Sequence, residues 1–520
     1  MISQNKLRTL LMATGASVAI AASLAACGAD DISSPGTGGN VTITYPPATS
    51  SSSSSTSSVT LVSPASGCPT IADPQGLTDA GTISGPTGTW RVCSLPSRIN
   101  TSITLIKRPG LLYQLPGRVD VGTDGGFTKT AADTNVTLTI EPGVIIYGGT
   151  GISWLAVNRG NKINAVGTVS QPIVFTSRDN VLGLNTDTSQ GQWGGVVLMG
   201  RAKITDCTTG STTSGTCERQ TEGAADPAVY GGADDTDNSG RMSYVQIRYS
   251  GYVLGANREL QSLTTEGTGS GTVLDHIMSF NSSDDGAEFF GGVVNMKHFV
   301  VIGADDDSLD LDVGATGNFQ YGLLIQRPAK GDALFEIDSN GFETHLPRST
   351  LKVSNFTAVQ GQVSPDNEAN DLAAGLFRGN SDTALYNTVI ATPNNECIRM
   401  NGTGATPATL VARSVVLTCN ATKFLGSGSF NAAAVATAFG SGANNNNDAF
   451  TSTLTNGFVN GANETAVPAF DVSALPGFSA TTYIGAVKDS ADTWYTGWTC
   501  NSATANLGSG NSACTSLPVN

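Results

Sequence analysis

The sequence predicts an all-β fold, a single-stranded parallel β-helix in which successive coils of the chain stack on one another. The 520 residues include 62 Gly and only 13% are charged, which is typical of many short strands joined by tight turns. The middle of the chain has no sustained 3.6-residue period. It contains a repeat of 22 residues, whereas a β-propeller needs a period of roughly 40–50 residues.

The N-terminus resembles a bacterial lipoprotein signal. Lys6 and Arg8 precede an apolar run that ends in Leu-Ala-Ala-Cys27. By this resemblance, residues 1–26 are the signal peptide, Cys27 is lipidated with palmitate, and the chain is anchored to the cell outer membrane. An ordinary secretory signal or a short membrane anchor is the alternative. Residues 27–66 then form a flexible tether rich in Ser, Thr and Gly.

Eight cysteines follow Cys27, and an even number in an exported protein indicates disulfide bonds. Connectivity cannot be read from the sequence alone, but pairing of neighbours closes the shortest loops. The pairs formed in this way are Cys68/Cys93, Cys207/Cys217, Cys397/Cys419 and Cys500/Cys514.

The chain divides further into three parts. We expect an N-terminal cap with a disulfide over residues 67–129, the β-helix over residues 130–440, and C-terminal coils and a cap over residues 441–520. The aromatic side chains beside the last cysteine pair are expected to cover the open end of the coil, which otherwise exposes unpaired strand edges. These side chains are Trp494, Tyr495 and Trp498.

The repeat predicts which residues stack. A shift of 22 places DDGAEFFGGVVNMKHFVVIG on DDSLDLDVGATGNFQYGLLI, and residues one coil apart lie about 4.8 Å from each other. Cys397 and Cys419 are also 22 residues apart. His276 and His298 are expected to stack at a coil edge. The remaining predicted neighbours are Asp284 and Asp306, Asp285 and Asp307, Glu266 with Glu288 and Asp310, and His298 and Gln320.

The stacked carboxylates point to a cation. Each pair about 5 Å apart repels by roughly 3 kcal/mol at an effective dielectric constant near 20, and Lys297 and Arg327 are too few to balance them. Calcium binds six to eight oxygens of this kind. The alternative is that these acids are solvated turn residues. The expected calcium ligands, with a structural role, are Glu266, Asp284, Asp285, Glu288, Asp306, Asp307, Asp310 and Asp312.

Several segments resemble a family of exported bacterial proteins, many of them lipoproteins, with a parallel β-helix of the pectin-lyase-like kind. The resemblance covers most of residues 135–500 and implies a right-handed β-helix, but it implies no specific activity. The segments are GQWGGVVLMGRAKI, NSGRMSYVQIRYSG, GSGTVLDHIMSFNSSDDGAEFFGG, GADDDSLDLDVG and TTYIGAVKDSADTWYTGWT.

These observations favour a cell-surface β-helix with a binding or scaffolding role, whose partner is a polysaccharide or an envelope protein. The formal net charge of −15 excludes nucleic acid as a partner, because such a surface repels polyanions. The alternative is a polysaccharide lyase or glycoside hydrolase, since paired carboxylates can act on a glycosidic bond. An enzyme should place its acids beside an arginine or a second carboxylate along a groove, whereas a scaffold should keep them in turns.

Overall fold

The structure is a computed structural model that describes residues 61–255, 258–328, 330–339, 344–363, 373–402 and 406–519. The predicted signal peptide, Cys27 and nearly all of the tether lie outside these residues. Within them the chain is built mainly from short strands that pair in parallel. The predicted parallel β-helix is therefore confirmed.

The strands and helices follow one another in chain order. They are β1 (Thr78–Gly85), β2 (Gly88–Ser94), β3 (Arg98–Ile99), β4 (Ile103–Leu105), β5 (Leu111–Leu115), β6 (Arg118–Val121), β7 (Thr137–Ile140), β8 (Ile145–Gly148), β9 (Trp154–Val157), β10 (Lys162–Val166), β11 (Ile173–Ser177), α1 (Arg178–Leu182), β12 (Val196–Met199), β13 (Arg219–Gln220), β14 (Val229–Tyr230), β15 (Gly240–Arg248), β16 (Val253–Gly255), β17 (Arg258–Glu259), β18 (Leu263–Glu266), β19 (Val273–Phe280), β20 (Ala287–Phe290), β21 (Val293–Ile302), β22 (Asp310–Asp312), β23 (Thr316–Ile325), β24 (Phe335–Ile337), β25 (Thr350–Val359), β26 (Gly375–Phe377), β27 (Asp382–Tyr386), β28 (Val389–Thr392), β29 (Ile398–Gly402), β30 (Thr409–Arg413), β31 (Val416–Cys419), β32 (Phe424–Gly428), α2 (Ala432–Phe439) and α3 (Ala462–Thr465).

Two long sheets form the walls of the coil. The first sheet has 17 strands among the described residues and includes β15, β19, β21, β23 and β25. The second sheet has 11 strands and includes β18, β20, β22, β24 and β26. Parallel pairing begins with β2 and β5, which lie inside residues 67–129 that we expected to be a cap. The strand before them, β1, pairs with β2 in the antiparallel direction.

The predicted register holds only where the coil length is 22 residues. Glu288 pairs with Asp310, and the rings of His276 and His298 stack with centroids 4.0 Å apart. The prediction is wrong for Glu266, which pairs with Phe290. It is also wrong for Gln320, because Lys297 pairs with Gln320 and His298 therefore faces Tyr321. These coils are one or two residues longer, so a fixed step drifts out of register.

The first sheet bends at one residue in each coil. Successive coils place Tyr244, His276, His298, Tyr321 and Asn355 there, all with φ between 53° and 66°. Left-handed backbone is unfavourable for most L-residues, and Asn, Asp and His tolerate it better than most. These residues form one column, and the rings of its first four members stack on one another along the bend.

Apolar side chains from both sheets fill the inside of the coil. The rings of Phe289 and Phe319 lie 5.1 Å apart across the two sheets, and those of Phe335 and Phe356 lie 5.8 Å apart. Helix α2 packs against the last coils, where Phe439 contacts the ring of Phe424 at 5.6 Å. This helix covers the C-terminal end of the hydrophobic core.

The C-terminal segment, residues 450–519, folds back along the outside of the first sheet, and we call it the clasp. Its Phe458, Trp498 and Leu507 are buried against outward side chains of β19, β21 and β23. This corrects the predicted position of Trp494, Tyr495 and Trp498, which lie on the side of the coil and not over its open end. The physical reason is that these strands are apolar on both faces and need a cover. The covered side chains are Met278, Phe280, Val300, Ile302, Leu323 and Ile325.

All four neighbouring cysteine pairs form disulfides, with Cα–Cα distances of 4.9–5.6 Å. The 22-residue spacing of Cys397 and Cys419 does not reflect the repeat, because β28 and β31 pair with residues 27 apart, such as Thr392 and Cys419. The bonded pairs are Cys68–Cys93, Cys207–Cys217, Cys397–Cys419 and Cys500–Cys514.

Cys93 and Cys217 are hydrophobic core residues as well as the disulfide partners that the sequence predicts. Both side chains are fully buried. Cys93 lies on β2, a strand of the coil and not of a separate cap, and packs in the core inside the coil. Cys217 belongs to an apolar cluster on the outside of the second sheet, together with Tyr230. The physical reason is that a bonded cysteine is small and apolar and therefore fills buried sites well.

In the part of the chain that the structure describes, no helix has the length and apolar character needed to span a membrane.

Candidate cation site on the second sheet

Strands of the second sheet alternate between core and exterior. In β20, Ala287 and Phe289 lie in the hydrophobic core, so Glu288 and Phe290 point outward, as strand geometry requires. The same alternation places Asp310 and Asp312 outside in β22, and Glu336 outside in β24. Parallel pairing then stacks these outward carboxylates on neighbouring coils.

Two outward columns result from this register. The first runs through Thr264, Glu288, Asp310, Glu336 and Leu376. Its central three members are carboxylates on consecutive rungs of one sheet.

The second column lies two residues further along each strand. It contains Glu266, Phe290 and Asp312. Asp338 follows, because its backbone N–H donates to Leu311 just as the backbone N–H of Arg378 donates to Ile337 in the next coil. The chain thus places an arginine directly after two stacked acids.

The turn before each strand adds further carboxylates. Oδ1 of Asp285 accepts the backbone N–H of Asp307 at 2.9 Å, and Oδ1 of Asp307 accepts that of Ala333 at 2.7 Å. Asp284 lies beside Asp285 and accepts from Nε2 of Gln261 at 3.1 Å. The turn acids and the strand acids form one surface, which we call the acidic face. Its members are Asp284, Asp285, Glu288, Asp306, Asp307, Asp310, Asp312 and Glu336.

Three overlapping groups on the acidic face could each hold a metal ion. In each group one oxygen of every carboxylate lies within 4.8 Å of the others. The groups are Asp284 with Asp285 and Asp306, Asp285 with Glu288 and Asp310, and Asp307 with Asp310 and Glu336. The first and third groups share no residue.

Burial and mutual repulsion make these carboxyls hard to ionise. Burial, followed by the charges of Asp285 and Asp310, raises the pKa of Glu288 well above its usual value. Burial and Asp284 have the same effect on the pKa of Asp285. Burial and Asp307 raise the pKa of Asp310 to about 8. Without a cation, burial and repulsion therefore favour the protonated form of these carboxyls.

Asp310 and Asp312 each have one carboxylate oxygen that could bind a cation. Among the described residues, Oδ1 of each side chain is buried and accepts no hydrogen bond. A buried acceptor without a donor costs about 1–3 kcal/mol. The donor set is oxygen only, which hard cations such as calcium prefer. The residues present therefore fit a calcium ion.

One cation beside the acidic face was missed by the sequence analysis. Arg378 contacts Glu336 and approaches Asp338 at 3.5 Å. Of the two predicted cations, Lys297 contacts Ser479 of the clasp, and Arg327 contacts Asp305. Glu336 and Asp338 were missed as well. The signal was Glu-x-Asp at 336–338 after Asp-x-Asp at 310–312, a step of 26 residues that a search at 22 does not find.

Glu266 lies apart from the other predicted ligands, and it belongs to none of the three groups. Its carboxyl accepts the hydroxyl of Thr221 at 2.6 Å, and burial raises the pKa of Glu266 to about 8. Thr221 belongs to residues 200–239, an insertion between β12 and β15. The predicted position of Glu266 is therefore wrong. Glu266 contacts the insertion and does not lie in the column of Glu288.

The insertion covers the second sheet beside the acidic face. Its Ile204 and Tyr230 pack on Phe290 and Val313. A cavity of about 620 Å³ lies next to it, lined by residues 210–213 and 344–346 together with Cys207. Four hydroxyl-bearing residues belong to this lining, namely Ser211, Thr212, Thr213 and Thr344.

Comparison with known proteins agrees with this architecture. A family model described as a pectate-lyase-like β-helix domain matches residues 127–499. No curated protein and no solved structure matches the chain. At the level of the family, the match supports a carbohydrate-related or binding role. Because the matched residues make up well over half of the chain, the protein belongs to the family of pectate-lyase-like β-helix domains.

Proposed function

We propose that this protein is a lipid-anchored β-helix of the bacterial cell surface that binds a polysaccharide or another envelope component through a calcium-loaded acidic face. The observation that carries the proposal is the set of three overlapping carboxylate groups, each with oxygens within 4.8 Å of one another. Calcium would be structural in the first place, since it joins acids from successive coils.

Electrostatics supports a divalent ion over simple ion pairing. Glu288 and Asp310 on neighbouring strands lie about 5 Å apart, and two bare charges at that distance repel by roughly 3 kcal/mol. Arg378 contacts Glu336 at one end, and no ion pair to Asp285 or Glu288 is found among the described residues. Two groups that share no residue give separate places for two calcium ions.

Bound calcium also provides a route to a ligand. Calcium takes six to eight oxygens, and three carboxylates leave part of that shell to water or to other oxygen donors. The carboxylate or hydroxyl oxygens of a polysaccharide are such donors. The hydroxyl-lined cavity beside the insertion offers further hydrogen bonds to a sugar chain.

Calcium titration by calorimetry and thermal unfolding tests the proposal. We expect micromolar to millimolar binding and a midpoint of unfolding that rises with calcium and falls with EGTA. A variant with Asp310→Asn and Glu336→Gln should lose part of the rise, because it removes ligands from two of the three groups and leaves Asp284, Asp285 and Asp306 in place. Asp471→Asn, at an exposed carboxyl in the clasp, is the matched control and should keep the full rise. Identical unfolding of the unmodified chain in calcium and in EGTA would refute the calcium site.

A carbohydrate-active enzyme is the second candidate, and one observation favours it. Arg378 contacts Glu336 on the outer surface of one sheet, so acids and an arginine meet as an enzyme of this kind requires. Incubation with acidic and neutral polysaccharides, with reducing ends as the readout, separates the two roles. Binding without release of reducing ends supports the binding protein. Cleavage that Arg378→Gln abolishes supports the enzyme.

A further inference from the structure

A second titratable cluster lies on the first sheet, on a different face from the acids. The rings of His276 and His298 stack with centroids 4.0 Å apart and an interplanar angle of 24°. One carboxylate serves both, since Asp275 lies 2.9 Å from Nδ1 of His276 and 2.8 Å from Nδ1 of His298. Asp275 therefore hydrogen-bonds His298 and places the same single negative charge beside His276.

The clasp rests directly on this histidine pair. The ring of Trp498 meets His276 edge-on at 5.3 Å, and the ring of Trp494 lies 5.2 Å from His298. Both indoles are fixed from within the clasp, because Nε1 of Trp494 donates to Ala486 and Nε1 of Trp498 donates to Trp494. A change at the two imidazoles therefore acts on a defined part of the clasp.

The charges around the pair cannot balance two imidazolium ions. From the neighbouring strands, Tyr244 and Tyr321 stack on the two rings, and both phenols are neutral near pH 7. Lys297 on β21 adds a positive charge that disfavours protonation of His298. From the clasp, the charge of Asp492 adds to the effect of burial and raises the pKa of Tyr321. Asp275 is thus the one carboxylate in direct contact with the pair among the described residues.

We propose that the His276–His298 pair is a pH-sensitive latch for the clasp, closed when the pair is neutral and loosened when both rings carry a proton. The first proton is offset by Asp275, but the second places two like charges 4.0 Å apart in a site that the indoles shield from water. Histidine changes charge between pH 5 and 8. This inference does not depend on the acidic face or on calcium.

The lowered pKa of His298 agrees with a clasp that loosens as the pH falls. Burial lowers the pKa of His298 below its usual value, against the opposing effect of its hydrogen bond to Asp275. A histidine with a lowered folded-state pKa contributes stability that is complete above its unfolded pKa. That stability is lost as the pH falls through the folded value.

The chain itself suggests the variants that keep the fold. The bend positions after Tyr321 are Asn355 and Asn387, both with positive φ, so asparagine is the residue that this column already accepts. We would prepare His276→Asn with His298→Asn, and His298→Asn alone. His345→Asn is the matched control, because His345 is the one other histidine of the chain and is exposed.

Hydrogen exchange of the full chain at pH 7.0 and 5.0, corrected for intrinsic rates, tests the latch. In the unmodified chain and in His345→Asn, protection over residues 484–499 should fall about tenfold at pH 5.0, while residues 173–177 of the core keep theirs. The double variant should show no such fall. A wild-type chain with equal protection at both pH values would overturn the proposal.

The double variant could leave the clasp unprotected at both pH values, and the single variant His298→Asn then provides the test. His298→Asn leaves one imidazole beside Asp275, so a proton there is balanced and the fall should disappear or reverse. A tenfold fall retained in His298→Asn would show that paired imidazolium charge is not the cause, and it would also overturn the proposal.

Discussion

Asp285 and Asp307 are joined by a hydrogen bond between neighbouring coils, in which Oδ1 of Asp285 accepts the backbone N–H of Asp307 at 2.9 Å. Both are nearly buried, at 5% and 3% exposure. The alternative that they are solvated turn residues is therefore wrong for these two. Their carboxylates are part of the stacking of the coils, so the charge of the acidic face bears on stability.

The first prediction concerns pH in the absence of calcium. The pKa of Asp310 is raised to about 8 from an unfolded value near 4. A carboxyl of this kind contributes stability below its unfolded pKa, and that stability is lost as the pH rises through the folded value. In EGTA, the free energy of unfolding should fall by about 2–4 kcal/mol between pH 5 and 9.

Chemical denaturation at fixed pH values measures this fall in the free energy of unfolding. The control is the same series in excess calcium, which should remove most of the pH dependence. A curve that is flat in EGTA would contradict the buried charge of the acidic face. The sign is opposite to that of the histidine latch, so the two effects can be separated by pH.

The second prediction concerns Glu266, whose pKa is raised to about 8. Glu266→Gln should be almost neutral for stability at pH 7, since the amide oxygen can still accept the Thr221 hydroxyl. Glu266→Ala should cost about 1–3 kcal/mol, because that buried hydroxyl loses its acceptor. Urea denaturation measures both, and an equal cost for both variants would contradict the role of the hydrogen bond.

The third prediction concerns Arg248, which is fully buried. Its guanidinium donates to the backbone carbonyls of Cys514 and Ser516 and so fastens the end of the clasp. Arg248→Met should cost about 2–5 kcal/mol, because the carbonyl of Ser516 and Oε1 of Gln246 lose a donor. The carbonyl of Cys514 still accepts from Asn180. Limited proteolysis should then cut the clasp first. Arg241→Met, at an exposed position on the same strand, is the control and should resist cleavage like the unmodified chain.

The fourth prediction tests the stacking of the coils. A Cβ on Gly322 would lie 2.1 Å from Cε1 of Phe356, which packs over it from the next coil. Gly322→Ala should therefore cost about 1–3 kcal/mol through overpacking. Gly361→Ala is the control, since nothing lies within 4 Å of the added carbon. Equal thermal midpoints for the two variants would contradict this contact.

Part of the acidic face could be predicted because stacking follows directly from a constant coil length. Glu288 and Asp310 were found in this way and do pair. Glu336 was not found, because the next coil has 26 residues and Asp310 pairs with it across that longer step. Glu266 was placed in the wrong column, because its coil is two residues longer. A local repeat cannot report how long the neighbouring loops are.

The sequence by itself determined the coil and the side-chain alternation of each strand, because these depend on local spacing and on residue type. It favoured the neighbouring cysteine pairs, and the structure shows that they form. Only the tertiary structure decided that Arg378 meets Glu336, that Cys93 and Cys217 fill buried apolar sites, and that the clasp covers Met278. The physical reason is that such contacts join residues far apart in the chain. Which distant segment covers an apolar face depends on the shape of the whole coil, and no local pattern encodes it.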